Sequence, residues 1–401
     1  MSTTRYFIVV LRSMNRQLFM AFLAMISSII LLPSTMIAQD GIRTQENVGA
    51  QENSAKQAPS EPVPQKQLLV PQNLLKLLHA PEVHAELGLK PSQVNSLEEL
   101  FGKIDAEWFR SRNMPADQQY LTVNLLEGKA LEWLKNNLTA DQVVRTRELL
   151  YRSQGVRMLL ISSVQKELGL TDVQISSLSA AAESTQQAEQ KLMLAMHSGG
   201  NTEDLTKKLS EANLQENQLW LRVLDEGQKT KVSRMIGKEF DTRSLTRVYP
   251  MAPELVPVAD WINSKPLTLA NLRGKVVLLH FYAFQCHNCH ANFAHYVRWH
   301  DRYKDKGVVV LGIQTPETPA ESDPKKVREA AEQRGLKFPI LVDLGNKNWD
   351  NWSNTMWPTV YLIDQKGYLR HWWQGELNWQ GAKGDEAIDK LINQLLTNPP
   401  G

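Results

Sequence analysis

Cysteine is nearly absent from this chain: two in 401 residues, both inside the stretch FQCHNCH, as Cys286 and Cys289. That scarcity excludes a disulfide-stapled framework, because a bridge between neighbours so close in sequence closes too small a loop to restrain the unfolded chain. A dominant charge is absent as well. The 45 basic and 43 acidic residues leave a net +2, which gives no electrostatic footing for nucleic acid, and none is expected as a partner. Large apolar residues are almost missing from residues 39–67, which read as a disordered linker unable to bury a core.

What is present begins with an apolar run, Leu18 to Leu32, preceded by Arg12 and Arg16 and closed by Pro33. It is short for a bilayer span of about 20 residues and fits the apolar core of a secretory signal. Residues 1–38 are therefore expected to be a signal peptide, cut after Ala38; left uncut, the run would be the only membrane contact. No cysteine follows it, so a lipid-modified N-terminal cysteine is not expected. Export to the periplasm or cell envelope of a bacterium is the expected location. In that oxidising setting, two cysteines with no other partners point to a chemical role.

Residues 68–247 carry apolar residues at three- and four-residue spacing, the pattern of a helical bundle. An internal repeat runs through them: Val83 to Leu97 and Val164 to Leu178 share VxxELGLxxxQxxSL, and LTADQ at Leu138 answers LDEGQ at Leu224. Thr139 and Thr171, each with a glutamine three residues on, read as helix N-caps. Two homologous helical hairpins packed together are expected. The region resembles periplasmic helical proteins with LTxxQ motifs that act as chaperones or stress sensors; a cap plus an apolar face also explains the motif.

From residue 252 to 397 the pattern turns to α/β. Lys275-VVLLHFYA is a nearly unbroken apolar run, as a strand buried on both faces requires. The CxxC follows at once, then a helix through about Tyr303, a strand at Val308-VVLGI, and a hairpin of Thr359-VYLID with Tyr368-LRHWW. Three chemistries suit FQCHNCH: a redox dithiol, a c-type haem on Cys286-x-x-Cys289-His290, or half of a metal site. Haem needs a pocket and a distal ligand, whereas here a buried strand feeds straight into the motif. Zinc needs four ligands, and Cys286, Cys289, His287, His290 and His295 on one helix start cannot converge as a tetrahedron. A dithiol is favoured, and no cofactor or metal is expected. At a helix N-terminus, free N–H groups and the macrodipole favour thiolate, which makes Cys286 the nucleophile. Cys289, one turn on, would reach back and resolve the mixed disulfide.

GKVVLLHFYAFQCHNC, GVVVLGIQTPE and WPTVYLIDQKGYLR resemble the thioredoxin-like redoxins of the TlpA family, nearest to the C-terminal domains of DipZ-type proteins. The resemblance, over about residues 252–396, implies an α/β thioredoxin-like domain; with the helical pattern read above, the expected fold is multidomain, an all-α repeated helical bundle followed by an α/β thioredoxin-like domain. It implies thiol–disulfide exchange with protein thiols and disulfides, supplied by an upstream redox partner. It further implies that Pro358 is a cis-proline facing the dithiol, with Trp357 beside it, both contacting substrate. Gln285 stands where tryptophan is usual. His280, six residues before Cys286, stands where thioredoxins often keep a buried acid; two readings stay open, a group titrating near neutrality that relays the resolving thiol's proton, or a structural strand histidine. Ala283 disfavours the related peroxidase chemistry, which uses Thr or Ser there. The other tryptophans of the last third are read as an aromatic rim or as packing. The alternative reading is a helical partner-binding or chaperone-like module with an accessory redoxin domain.

Overall fold

The computed structural model describes residues 68–197 and 201–397. The expected signal and linker lie outside the described residues. Among the described residues, the first part has nine α-helices: α1 (Leu74–His79), α2 (Pro81–Glu86), α3 (Pro91–Ser111), α4 (Ala116–Asn137), α5 (Ala140–Gln154), α6 (Ser162–Leu168), α7 (Asp172–His197), α8 (Glu203–Val223) and α9 (Glu226–Met235). The second part runs β1 (Trp261–Ile262), β2 (Val276–Tyr282), α10 (His287–Tyr303), β3 (Val308–Gln314), α11 (Pro324–Gln333) and β4 (Ile340–Val342). It ends with α12 (Lys347–Asn351), β5 (Thr359–Ile363), β6 (Leu369–Gln374) and α13 (Gly384–Thr397). The chain thus pairs an all-α region with a mixed-sheet, thioredoxin-like one. Among the described residues, no helix is long and apolar enough to cross a membrane.

Four glutamines organise the helical region. Gln93, Gln142, Gln174 and Gln228 each sit three residues into a helix start, where the side-chain oxygen accepts the N–H of Lys90, Thr139, Thr171 or Asp225 at 2.9–3.1 Å. The amide nitrogen of each then reaches a carbonyl at the end of another helix: Asn137 O, Leu87 O, Val223 O and Leu168 O, respectively. They meet in pairs, Gln93 with Gln142 at 3.0 Å and Gln174 with Gln228 at 2.8 Å. One side chain therefore caps its own helix and closes the end of a second, satisfying groups that a helix terminus leaves open. The glycine of each ELGL, Gly88 and Gly169, takes a left-handed conformation (φ 58° and 66°). The next N–H then returns to the helix it has just left, Leu89 to His84 O and Leu170 to Gln165 O, which ends α2 and α6.

The sheet has the order β1-β4-β3-β2-β5-β6, with β2 parallel to β3 and antiparallel to β5. Every residue of β2 is buried, and its side chains alternate between two cores. Val276, Leu278 and Tyr282 join the face covered by α10, α11 and α13. Val277, Leu279 and Phe281 join the other face, where Trp352 and Tyr361 meet a residue from the helical region, Phe109 of α3. Phe109 packs edge-on against Trp352 and Tyr361, with ring centroids 5.7 and 5.8 Å away. In return, Tyr368 of the β5–β6 turn enters the core of α3 and α4. A buried polar joint completes the contact. His79 bonds Asp105 at 2.9 Å, Asp105 accepts the Met251 N–H at 2.7 Å, and Arg247 donates to the His79 carbonyl while lying over Tyr368.

Candidate active site

Cys286 is the N-cap of α10, and its sulfur accepts the Cys289 N–H at 3.3 Å. The two cysteines are joined as a disulfide, with Cα atoms 5.3 Å apart. Cys286 keeps 8% of its surface exposed and Cys289 none. The dithiol lies where β2 ends and α10 begins because the β2 run stops at Tyr282, whose carbonyl is taken by the Thr315 N–H of the loop after β3.

Glu321 holds the turn between strand and dithiol, a residue that sequence reasoning missed. It is fully buried, and its carboxylate accepts three backbone N–H groups: Gln285 at 2.7 Å and Glu317 and Thr318 at 2.8 Å. Its only sequence signal is the T-x-x-E spacing from Thr318, a capping box at a short helical turn. Gln285 gains its place in the same loop, because its side-chain oxygen accepts the Thr318 hydroxyl at 2.7 Å. Beside this turn opens a cleft of about 660 Å³ whose lining includes Phe284, Gln285, His290, Lys326 and Arg334. His290 donates from Nε2 to the Phe284 carbonyl at 2.8 Å. An axial haem ligand would have to give up that bond. Among the described residues, no three His, Cys, Asp or Glu side chains are grouped to hold a metal ion.

The Trp357–Pro358 peptide bond is cis. Thr359 pairs with Phe281, so Pro358 comes level with the end of β2, the end from which Cys286 emerges. The Pro358 carbonyl accepts the Gly375 N–H at 2.8 Å. Trp357 stacks on Trp349 with centroids 4.0 Å apart. The aromatic rim shrinks on inspection. Trp299 and Trp352 are wholly buried and Trp261 nearly so, whereas Trp379 is the exposed one, at 60%. Trp261 is turned into a core by β1 and Trp299 by α10, and Trp352 enters one just after α12.

His280 requires a correction. It is fully buried, both ring nitrogens lack a hydrogen-bond partner among the described residues, and it stacks on Tyr296 at 3.9 Å and on Tyr282 at 5.2 Å. Burial pushes its pKa down to about 3, so it does not titrate near neutrality. The expected relay therefore lacks both a ring that titrates near neutrality and, among the described residues, a hydrogen-bonded path for the proton.

A protein-family model described as the AhpC/TSA family matches residues 253–372. Protein DipZ of Mycobacterium tuberculosis (strain CDC 1551 / Oshkosh) is 40% identical over 151 residues, 37% of this chain. Those residues make up 21% of DipZ, so the chain spans a small part of that relative's length. The thiol-disulfide oxidoreductase ResA of Bacillus thuringiensis subsp. konkukian is 30% identical over 178 residues, 44% of this chain and 87% of ResA. Among solved structures, a thioredoxin-like protein in its oxidised form is 28% identical, covering 37% of this chain and 97% of its own, with a TM-score of 0.33.

Proposed function

This chain belongs to the family of thiol-disulfide oxidoreductases that includes ResA, with an AhpC/TSA match confined to residues 253–372, and from that premise we propose that it exchanges disulfides with protein substrates through Cys286 and Cys289. The observation that carries the reading is the asymmetry of the pair: Cys286 caps a helix and receives an N–H, while Cys289 is shut away from solvent. A helix start stabilises the thiolate, and the thiolate is the attacking species.

In the reducing direction, the Cys286 thiolate attacks one sulfur of a substrate disulfide. A mixed disulfide forms and the first substrate thiolate leaves. Cys289, as thiolate, then attacks the Cys286 sulfur; the second substrate thiolate leaves and the Cys286–Cys289 disulfide remains. Two electrons have passed to the substrate, and an upstream dithiol must return them. Run backwards, the same atoms oxidise. In this reading the Leu18–Leu32 run directs export, residues 39–67 tether the folded part, and Trp357 and Pro358 receive an extended substrate segment at the end of β5. His280 takes no part.

The test uses the full chain. Reduction of insulin disulfides by dithiothreitol should be accelerated by the wild type and not by Cys286→Ser. Brief iodoacetamide treatment of the reduced protein at about pH 7 should label Cys286 well ahead of Cys289. Equal labelling of both thiols, or a Cys286→Ser protein that still accelerates the reduction, would defeat the proposal.

A further inference from the structure

Arg112 follows the last residue of α3, yet its side chain belongs to the other half of the molecule. It is 6% exposed. Nη2 donates to Trp352 O at 2.7 Å, to Ser353 O at 3.1 Å and to the Tyr361 hydroxyl at 3.1 Å; Nη1 donates to Phe109 O at 2.8 Å. The neighbouring Asn113 adds a bond of 2.5 Å to the same Ser353 carbonyl. No carboxylate pairs with this guanidinium among the described residues. A buried cation without a counter-charge is a costly way to fill space, and an apolar side chain would pack there at lower cost. What the guanidinium supplies in return is a fork of donors that fixes carbonyls in direction as well as position.

Two of the carbonyls it fixes, those of Trp352 and Ser353, lie on the segment that leads into Trp357 and Pro358. Ser353 has φ 44°, a left-handed conformation that a non-glycine residue keeps only when its surroundings hold it there. Two donors from the helical region converge on its oxygen. The hold continues along the segment. The Tyr361 hydroxyl donates to Asn354 at 2.6 Å, Gln374 bonds Thr355 at 3.3 Å, and the Thr359 hydroxyl donates to Met356 O at 2.9 Å. Every residue from Trp352 to Met356 is thus tied to a fixed neighbour, and the chain of bonds starts at Arg112.

We propose that Arg112, with Asn113, is a positioning residue that sets the substrate-contacting loop, so that the helical region is part of the protein-substrate site rather than a separate module. This inference rests on the exchange reading given above. Because Arg112 touches neither the dithiol nor the core around it on the α10 side of the sheet, its loss should weaken capture of a polypeptide and leave the redox chemistry of the pair alone.

The experiment compares the wild type with Arg112→Gln in the full chain, measuring KM and kcat for insulin reduction and the reduction potential of the dithiol against glutathione. The expected result is a KM raised about tenfold, the scale of one lost charge-assisted hydrogen bond, with kcat and the potential unchanged. Should Arg112→Gln fail to fold, Asn113→Ala carries the same prediction at about threefold, since it removes one neutral bond to Ser353. An unchanged KM overturns the inference and leaves the exchange reading standing. So does a fall in kcat with a shifted potential, which would mark a general loosening of the domain. A wild type that reduces no insulin overturns the exchange reading itself, and this inference falls with it.

Discussion

Cys286 and His280 stand six residues apart at the same end of the sheet, and burial treats them differently. Cys286 keeps a little surface and gains an N–H at a helix start, while His280 lies among Tyr282, Tyr296 and Phe338 with no polar partner. Gly312 faces it, and a Cβ there would come within 3.1–3.3 Å of Tyr282, Phe338 and the His280 Nε2, so these rings would have to shift. A histidine held neutral in this way makes the fold acid-sensitive. Its folded pKa of about 3 lies below the unfolded value of about 6.5, so the unfolded chain binds the extra proton between those values. Stability from this group is complete above about pH 6.5 and falls by roughly 1.4 kcal/mol for each unit down to about pH 3. His280→Leu should therefore flatten the pH dependence of urea stability in that window, while the pH–rate profile between about pH 5 and 8 stays as in the wild type. An ionisation that vanishes from the rate profile in the variant would return His280 to the mechanism.

At the scale of elements, the glutamine caps explain the repeated motif without a ligand. The spacing from Thr139 to Gln142 and from Thr171 to Gln174 was legible in sequence as a pair of N-caps, and both form. The second bond of each glutamine was not legible. Gln142 reaches Leu87 and Gln228 reaches Leu168, partners 55 and 60 residues away that no local pattern marks. Gln142→Ala should cost about 1–2 kcal/mol, the worth of a cap together with one further hydrogen bond. Gln142→Ala combined with Gln228→Ala should cost the sum of the single changes, because the two pairs are separate. Gln142→Ala with Gln93→Ala should cost less than its sum, because those two side chains bond each other. Urea denaturation of the three single and two double variants decides it. Additivity within the Gln93–Gln142 pair would mean that the pairing carries no energy of its own.

For the whole molecule, the two architectures were legible in the residues but their union was not. The thioredoxin-like half was legible because a strand buried on both faces, a CxxC and a helix follow one another within about thirty residues, where local pattern is strongest. The joint between the halves was hidden for the opposite reason. Phe109 reads as one more apolar residue of an amphipathic helix, and Arg112 as a helix-end cation. Their partners Trp352 and Tyr361 lie some 240–250 residues on. Removing the helical region would bare Trp352, Tyr361 and Tyr368, so the full chain is the proper object for any assay of function. The central claim is that the Cys286 thiolate attacks protein disulfides and Cys289 releases them. Its most direct measurement is a non-reducing gel of the full-length Cys289→Ser protein after incubation with an unfolded, disulfide-bearing protein. The account predicts reducible high-mass adducts linked through Cys286, absent from Cys286→Ser; a Cys289→Ser protein that traps nothing would contradict it.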